Sequence, residues 1–293
     1  MKDPRHKDTF FSGKHSLNCR GKLLDLSRPA IMGILNVTSD SFFDGGKYKG
    51  GPALSRRISR IIEEGADIID VGAMSTRPGS SPVTEDLEIQ RLSEAIGIIR
   101  ENYPDIPISV DTYRTGVARK AIVDFKADMI NDIKAGDESE EMFSVIAELK
   151  VPYIIMHMQG NPSTMQNSPQ YIDVVDDVLF FLAKKVANLR KRGVTDIVVD
   201  PGFGFGKNVD HNYQLLAHLN VFRSLELPIL AGLSRKSMIS GFLNTDADNA
   251  LNGTTALNMF ALLQGSSILR VHDVKAAVET RNLFCKLQES ALL

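Results

Sequence analysis

The sequence predicts an α/β protein that folds as a (β/α)8 TIM barrel with an N-terminal β-hairpin extension. Eight short runs of Ile, Val, Leu and Met alternate with longer stretches of helical periodicity. The runs show little alternation of apolar and polar residues, as expected for parallel strands covered on both faces. The 293 residues also suit this barrel, which typically needs about 250 residues. Because periodicity cannot prove that the sheet closes, a doubly wound open sheet is the alternative.

The predicted elements follow one another without a linker or a break in composition. Residues 1–29 form an N-terminal extension, in which "HSLNCRGKLLDLS" predicts a hairpin that turns at Arg20-Gly21 and packs on the barrel. Residues 30–293 form a single (β/α)8 domain. Its strands are predicted at 30–36, 66–72, 106–111, 127–132, 152–158, 196–202, 227–232 and 267–273. Several of the helical stretches between them stop at glycine, a common residue after a helix C-terminus.

Charge and composition argue against several classes of protein. The formal net charge of −2 lacks the basic footprint of a nucleic-acid-binding protein. No apolar run approaches the roughly 18 residues needed to span a bilayer, and the charged first segment does not resemble a signal peptide. Cys19 and Cys285 lie far apart and outside any CxxC pair, so we expect a reducing, cytoplasmic location. Neither a nucleic acid nor a membrane is expected as a partner.

Polar residues recur where the predicted strands end, which is where (β/α)8 barrels carry their active sites. The set consists of Asn36, Asp70, Asp111, Asn131, Asp132, His157, Gln159, Asp200, residues 234–237, Arg270, His272 and Asp273. For Asp132, Gln159 and Asp273 a structural role is favoured, and for Asp70 the two interpretations are balanced. A single strand-end residue is weak evidence, but eight convergent strand ends strongly favour a site.

The residue types at these strand ends and the loops that follow them predict the chemistry of the ligand. The cations suit a phosphate-bearing group; they are Arg77, Lys236, Arg270 and His272. The carboxylates of Asp111 and Asp200 suit a heterocycle with several N–H donors. Asn36 offers an amide oxygen to Mg²⁺, which keeps few protein ligands when substrate phosphates supply the others.

The glycine-rich stretch "DPGFGFGK", residues 200–207, is not a P-loop. Pro201 and Asn208 stand where that motif requires Gly and Ser or Thr. The glycine spacing also differs from GxGxxG. The glycines allow the backbone to approach a flat ligand closely, while Phe203 and Phe205 are equally consistent with an aromatic wall and with barrel packing.

Eight motifs, in order along the chain, resemble those of the dihydropteroate synthase family. They are "MGILNVTSDSFFDGG" (32–46), "STRPGS" (75–80), "SVDT" (109–112), "IND" (130–132), "MHMQG" (156–160), "DPGFGFGK" (200–207), "SRKSMI" (234–239) and "RVHDV" (270–274). The resemblance implies a folate-pathway transferase on a TIM barrel. Such an enzyme joins 6-hydroxymethyl-7,8-dihydropterin diphosphate to p-aminobenzoate, with Mg²⁺-assisted departure of diphosphate followed by attack of the amine. It also implies a homodimer and competition by sulfonamides.

The resemblance implies a role for each site residue. The catalytic set is Asp111, Asn36, Lys236, Arg270 and His272, with Mg²⁺ held by Asn36. The pterin pocket is Asp111, Asn131, Met156, Asp200 and Lys236. The diphosphate site is Asn36, Thr76, Arg77, Arg270 and His272. The p-aminobenzoate site is Phe42, Thr76, Pro78, Phe205, Lys236 and Ser237.

Two departures from the family pattern fall on the first and second loops. Ser39 stands where proline is common, and Ala73-Met74 stand where many members have Gly-Glu. We expect them to affect loop stiffness and rate rather than the reaction.

Two other functions fit parts of the pattern. A pterin-binding methyltransferase module, which presents its pterin to a corrinoid protein, has a similar barrel but needs no diphosphate site; "STRPG" and "RVHDV" argue against it. A barrel that only binds a pterin or stabilises a partner is disfavoured because no expected catalytic position is missing.

Overall fold

Parallel strands form a barrel in the computed structural model, which describes residues 16–38, 51–74, 83–137, 139–160 and 169–291. An antiparallel hairpin precedes the barrel and consists of β1 (Ser16–Cys19) and β2 (Lys22–Asp25). The barrel strands are β3 (Ala30–Asn36), β4 (Ile68–Gly72), β5 (Ile108–Asp111), β6 (Met129–Asp132), β7 (Tyr153–Met156), β8 (Ile197–Asp200), β9 (Leu230–Ala231) and β10 (Ile268–Val271).

The order of the strands brings the two ends of the sheet together. Within the described residues the order is β8-β7-β6-β5-β4-β3-β10-β9. A parallel bridge then pairs Val199, in β8, with Ile229, next to β9. The amide of Val199 donates to the carbonyl of Pro228 at 3.0 Å. The barrel is therefore nearly closed, which confirms the predicted barrel and its hairpin and excludes the open sheet. The domain boundary at residues 29 and 30 stays a prediction.

Helices connect the strands and cover the outside of the barrel. They are α1 (Gly51–Glu63), α2 (Glu85–Asn102), α3 (Thr115–Val123), α4 (Glu141–Leu149), α5 (Val174–Lys191), α6 (Val209–Ala217), α7 (Ser237–Ser240), α8 (Leu251–Leu263) and α9 (Val274–Ala291). A 3₁₀ segment, Leu219–Leu225, follows α6. None of the helices in the described segments is long and apolar enough to cross a membrane.

Side-chain caps define where several of these helices begin. Asp173 accepts hydrogen bonds from the amides of Val175 and Asp176 at the start of α5. Asn208 and His211 form a reciprocal capping box at the start of α6. Such caps satisfy amides that have no partner within the helix. The cap of α6 also fixes where the glycine-rich loop ends.

The lower interior of the barrel is an apolar core that the hairpin closes. Alternate residues of each strand point inward, and those near the amino ends are buried: Met32, Ile68, Met129, Ile154, Val198, Leu230 and Ile268. Leu17, Cys19 and Leu26 from the hairpin segment pack into the same cluster. The amide of Asn18 also donates to Asp196 Oδ1 at 3.0 Å. This end of the barrel is therefore sealed by side chains.

The interior becomes polar toward the carboxyl ends of the strands. Asp70 pairs in register with Ser109, and two residues further on Gly72 pairs with Asp111. Asp111 in turn pairs with Asn131. Because paired residues in a parallel sheet face the same side, these side chains enter the barrel together. The outward residues between them, such as Val71 and Val110, belong to the apolar layer beneath the helices.

We expect Leu17→Ala to lower the free energy of unfolding by about 3 kcal/mol, because it empties a buried leucine site between the hairpin and the barrel interior. The matched control is Leu23→Ala on the same hairpin, where the side chain is 73% exposed and little change is expected. Urea unfolding of the three proteins measures the difference. Equal stability of the two variants would contradict the packing of the hairpin into the barrel.

Candidate active site

Arg270 forms a buried ion-pair cluster in the upper interior of the barrel, which is the part toward the carboxyl ends of the strands. Its Nε donates to Asp70 Oδ2 at 2.6 Å, and its Nη2 donates to Asp111 Oδ2 at 2.8 Å. Asp70 is fully buried, while the side chains of Arg270 and Asp111 are 21% and 19% exposed. Strands β4, β5 and β10 supply one member each. A guanidinium suits this position because its donors are spread over a planar fork that can serve two carboxylates.

Burial and charge act in opposite directions on these groups. Burial raises the pKa of Asp111 to about 7, Arg270 works against this shift, and Asp70 adds to it. Burial lowers the pKa of Arg270, but Asp70 and Asp111 outweigh it and leave the pKa above its ordinary value. Burial also raises the pKa of Asp200, and Lys236 opposes that shift. Asp111 can therefore change its charge near neutral pH when the surrounding charges change.

Asp70 organises the floor of this cluster. Its Oδ2 accepts from Arg270 and also from Asn131 Nδ2, at 3.2 Å. Its Oδ1 is buried and has no hydrogen-bond partner among the described residues. One carboxylate oxygen thus positions two residues that reach the upper interior. The sequence left the role of Asp70 balanced, and its contacts place it directly beneath the site.

Lys236 and the glycine-rich loop form the opposite wall. Lys236 Nζ donates to the carbonyl of Phe203 and lies 4.8 Å from the centroid of the Phe205 ring. Burial lowers the pKa of Lys236 to about 8, Asp200 opposes that shift, and Arg270 adds to it. Phe203 is fully buried and Phe205 partly exposed. The two phenylalanines therefore divide the roles that the sequence left open: Phe203 packs on the barrel, and Phe205 lines the wall.

The glycine-rich loop turns tightly, and two of its backbone amides donate hydrogen bonds to other groups of the protein. Gly202, Gly204 and Gly206 have φ angles of +75°, +79° and +61°. A Cβ at Gly202 would lie 1.9 Å from the carbonyl oxygen of His157, so a side chain is excluded there. The amide of Gly202 donates to Asp200 Oδ1 at 2.7 Å, and that of Gly204 to Asn212 Oδ1 at 2.6 Å. These two amides are committed inside the protein, unlike those of a loop that cradles phosphate.

Asn36 and Asp111 face each other across Gly72. A Cβ added to Gly72 would lie 3.6 Å from Asn36 Oδ1 and 3.7 Å from Asp111 Oδ2. The glycine therefore keeps space between an amide oxygen and a carboxylate oxygen. Among the described residues no group of three or more His, Cys, Asp or Glu could hold a metal ion.

His272 lies just beyond β10 and is held through its backbone. Its amide donates to Ser234 Oγ at 3.1 Å, and its carbonyl accepts from Arg57 Nη2 at 3.0 Å. Burial lowers the pKa of His272 to about 4, and the cations Arg270 and Arg235 add to the shift. The free protein therefore presents a neutral imidazole at pH 7, rather than the cation counted from the sequence.

Comparisons with known proteins agree on one family. A family model described as "Pterin binding enzyme" matches residues 32–272. The dihydropteroate synthase of Escherichia coli K12 is 43% identical over 265 residues, which covers 90% of this chain and 93% of that protein. That of Haemophilus influenzae is 44% identical over 262 residues, 89% of this chain and 94% of that protein.

A solved structure gives the same result. The dihydropteroate synthase of Yersinia pestis, crystallised with a sulfonamide drug complex, superposes with a TM-score of 0.87 at 40% identity over 94% of this chain and 99% of that one. This chain belongs to the dihydropteroate synthase family. It is accordingly an enzyme, a transferase of folate biosynthesis. Membership of this family favours the synthase over the other two functions considered from the sequence, the methyltransferase module and the barrel that only binds.

Most residues expected from the dihydropteroate synthase motifs lie at this end of the barrel. Asn36, Asp111, Asn131, Met156, Asp200, Arg270 and His272 lie at the carboxyl ends of strands or directly after them, and Lys236 lies in the loop between β9 and α7. Ser237 begins α7 and is exposed. Phe42, Thr76, Arg77 and Pro78, together with Ser39, lie outside the described residues. Ala73 is fully buried, and its carbonyl accepts from Arg91 Nη1 at 3.1 Å.

The three residues favoured as structural make internal contacts. Asp132 accepts from the amides of Lys134 and Gly136, both at 2.8 Å, and from the hydroxyl of Tyr153 at 2.5 Å. Gln159 exchanges two hydrogen bonds with the backbone of residue 170. Asp273 pairs with Arg235 at 2.7 Å. These contacts agree with structural roles.

Sequence reasoning left Asp70 undecided and missed Lys207. Strand parity could have favoured a site position for Asp70, because it and Asp111 both lie on the inward face of neighbouring strands. No sequence signal indicates the buried position of Lys207, since a lysine after a glycine suggests a ligand contact. It is instead buried, and His157 Nδ1 lies 2.9 Å from its Nζ.

We expect Arg270→Met to destabilise the protein by about 3 kcal/mol at pH 8, because it leaves two buried carboxylates without their cation. Loss of Arg270 should raise the pKa of Asp111 beyond its value of about 7, because Arg270 opposes the effect of burial. A carboxyl with a higher pKa in the folded state takes up its proton before the unfolded chain does, so the loss should shrink as the pH falls from 8 to 5.5.

Urea unfolding at both pH values checks this expectation. Arg119→Met is the control, because it removes an exposed ion pair with Glu148 and should change stability little at either pH. A loss for Arg270→Met that is independent of pH would show that the two carboxylates are not the reason for it.

Proposed function

We propose that this protein condenses 6-hydroxymethyl-7,8-dihydropterin diphosphate with p-aminobenzoate to give 7,8-dihydropteroate and diphosphate. One observation carries the proposal: an interior lined by carboxylates that Arg270 neutralises opens onto a partly exposed wall of Lys236 and Phe205. The first part suits a polar heterocycle, and the second suits an aromatic acid. Structures of the Xanthomonas albilineans dihydropteroate synthase with 4-aminobenzoic acid and with 7,8-dihydropteroate support this choice.

The pterin would occupy the upper interior. Asp111 and Asp200 would accept hydrogen bonds from its N–H groups, Asn131 would contribute its amide, and Lys236 would donate to a ring acceptor. Met156 is 3% exposed and pairs in register with Asp200, so it can pack against a flat ring from below. Because the pocket is built on strands with a sealed apolar base, these groups are held rigidly before the ligand arrives.

The p-aminobenzoate would lie at the mouth of the barrel. Phe205 offers its ring, and Lys236 and Ser237 offer donors for the carboxylate. A partly buried lysine with a pKa lowered to about 8 would regain its proton fully when an anion binds beside it. Phe42, Thr76 and Pro78 would complete this site.

The chain fits Mg²⁺ only as an ion that the substrate helps to hold. Asn36 Oδ1 and Asp111 Oδ2 lie on either side of Gly72, and oxygen ligands are those that Mg²⁺ prefers. We propose that Asn36 holds the ion, with the remaining ligands supplied by the diphosphate and water. When bound, Mg²⁺ supplies positive charge that offsets the charge of the departing diphosphate.

We propose that departure of diphosphate precedes attack by the amine. The bond between the pterin CH₂ and the diphosphate oxygen breaks, and its electron pair leaves with the oxygen. Arg270 uses Nε and Nη2 for its carboxylates, so Nη1 can donate to the diphosphate, as can His272 and Arg77. Each such donor contributes about 3 kcal/mol to lowering the barrier.

Asp111 and Asp200 then stabilise the positive charge that develops on the pterin. Their negative charges lie in a water-poor interior, where electrostatic interactions are stronger than in water. The amine of p-aminobenzoate forms the new C–N bond and gives up one proton, which is released with the diphosphate. No protein nucleophile takes part in this sequence.

We also propose that the protein is a homodimer. Exposed apolar side chains recur from α7 to α9: Phe242, Leu243, Leu251, Phe260, Leu263, Leu283 and Leu287. Exposed apolar patches of this kind mark association surfaces. Both cysteines are free, which agrees with the cytoplasmic location that we propose.

An assay with labelled p-aminobenzoate tests the reaction. We expect label in 7,8-dihydropteroate and one diphosphate released per product when both substrates and Mg²⁺ are present, and a large loss of product when a chelator removes the metal. Asp111→Asn should lower turnover by about 10²-fold, because it removes a charge opposite the developing cation. Binding of the pterin diphosphate with no diphosphate released would favour the methyltransferase-module or binding-barrel alternative.

Light scattering after gel filtration tests the homodimer. We expect a mass of twice 32.3 kDa for the unchanged protein. Leu283→Glu should shift it toward the monomer, because it places a charge in an apolar contact. The control is Leu23→Glu on the hairpin, which should leave the mass unchanged. A monomer at micromolar concentration would rule out the dimer.

A further inference from the structure

The amino group of Lys207 is turned into the protein, although it ends a glycine-rich loop at the mouth of the barrel. The residue is 3% exposed. Its Nζ lies 2.9 Å from the carbonyl oxygens of Gly202 and Phe205 and 2.9 Å from His157 Nδ1. The carbonyl oxygen of His157 is a further acceptor at 3.3 Å. An ammonium has three N–H donors, and here each has an acceptor at 2.9 Å.

The acceptors come from two separate parts of the chain. Gly202 and Phe205 belong to the loop after β8, whereas His157 follows β7. Burial lowers the pKa of His157 to about 2, and Lys207 adds to the shift. The imidazole is therefore neutral, and its Nδ1 accepts from Lys207. Lys207 thus joins both ends of the loop to the neighbouring strand end.

Other side chains hold the rest of the loop. The hydroxyl of Tyr171 donates to the carbonyl of Gly206 at 2.7 Å, and Asn212 accepts from the amide of Gly204. Lys236 donates to the carbonyl of Phe203. The position of Lys236 therefore depends on where the loop places the Phe203 carbonyl and the Phe205 ring.

A buried ammonium is unfavourable unless its surroundings compensate. Burial lowers the pKa of Lys207 to about 7, Asp200 opposes that shift, and Lys236 adds to it. An apolar side chain of similar length would avoid this desolvation cost but would bind none of the loop carbonyls. The lysine is thus suited to fixing the shape of the loop rather than to adding stability.

We infer that Lys207 is a positioning residue: its buried amino group fixes the loop of residues 201–207 against His157, so that Phe205 and Lys236 form the p-aminobenzoate wall. The inference rests on the proposed function for its kinetic consequence. Its structural consequence, the fixed conformation of the loop, does not depend on the proposed function.

Lys207→Met tests the inference, because it keeps an unbranched side chain only one atom shorter and removes all three donors. We expect the KM for p-aminobenzoate to rise about tenfold, equal to about 1.4 kcal/mol, and the KM for the pterin diphosphate to change much less. Leu189→Ala is the matched control: it removes a fully buried side chain of α5, so it lowers stability while leaving both KM values unchanged.

A second pair of variants addresses the acceptor on His157. Asn places an amide oxygen close to the position of Nδ1, so His157→Asn should nearly preserve the KM for p-aminobenzoate. His157→Leu removes the acceptor and should raise this KM in the same direction as Lys207→Met. If Lys207→Met does not fold, these two His157 variants test the inference in its place.

Hydrogen exchange gives a readout that does not depend on activity. We expect faster exchange of the Gly204 and Phe205 amides in Lys207→Met than in Leu189→Ala when the two variants have similar stability. If the unchanged protein makes no dihydropteroate, the proposed function fails and exchange alone decides the inference. Equal exchange in the two variants, or unchanged ratios of the two KM values in an active enzyme, would overturn it.

Discussion

The ion pairs of Arg270 inside the barrel are the constraint on which the site depends. Three carboxylates, Asp70, Asp111 and Asp200, are buried or nearly so within the upper interior. Burial raises the pKa of Asp111 and of Asp200, and without cations these groups would bind protons and lose their charge. Arg270 and Lys236 oppose those shifts. The carboxylates of the upper interior keep their negative charge because these cations balance it.

The rest of the barrel holds these charged residues in place. The apolar lower interior, closed by the hairpin, excludes water beneath the charged cluster and leaves one open end. The strands hold the backbones of Asp111 and Asn131 in register, so the ligand need not organise them. Polar interior positions are costly to stability, and barrels tolerate them at the end where ligands bind.

Local sequence patterns predicted the barrel and most strand positions, but they overestimated strand length. The run at 196–202 yields β8 only over Ile197–Asp200, because Pro201 lacks an amide donor and Gly202 turns with positive φ. The run at 227–232 yields only Leu230–Ala231 as β9. His157 and His272 likewise fall inside predicted runs but lie just past the observed ends of β7 and β10.

The sequence by itself determined the fold class, the family motifs and the placement of Asp111, Asn131, Asp200 and Arg270 at the carboxyl ends of strands, because strand periodicity and strand ends are local properties. Only the tertiary structure decided that Asp70 pairs with Arg270, 200 positions away, and that Lys207 faces inward to His157, 50 positions away. Such contacts depend on the register between strands and on closure of the barrel. Local patterns do not encode these, because the partners are brought together only when the whole sheet has formed.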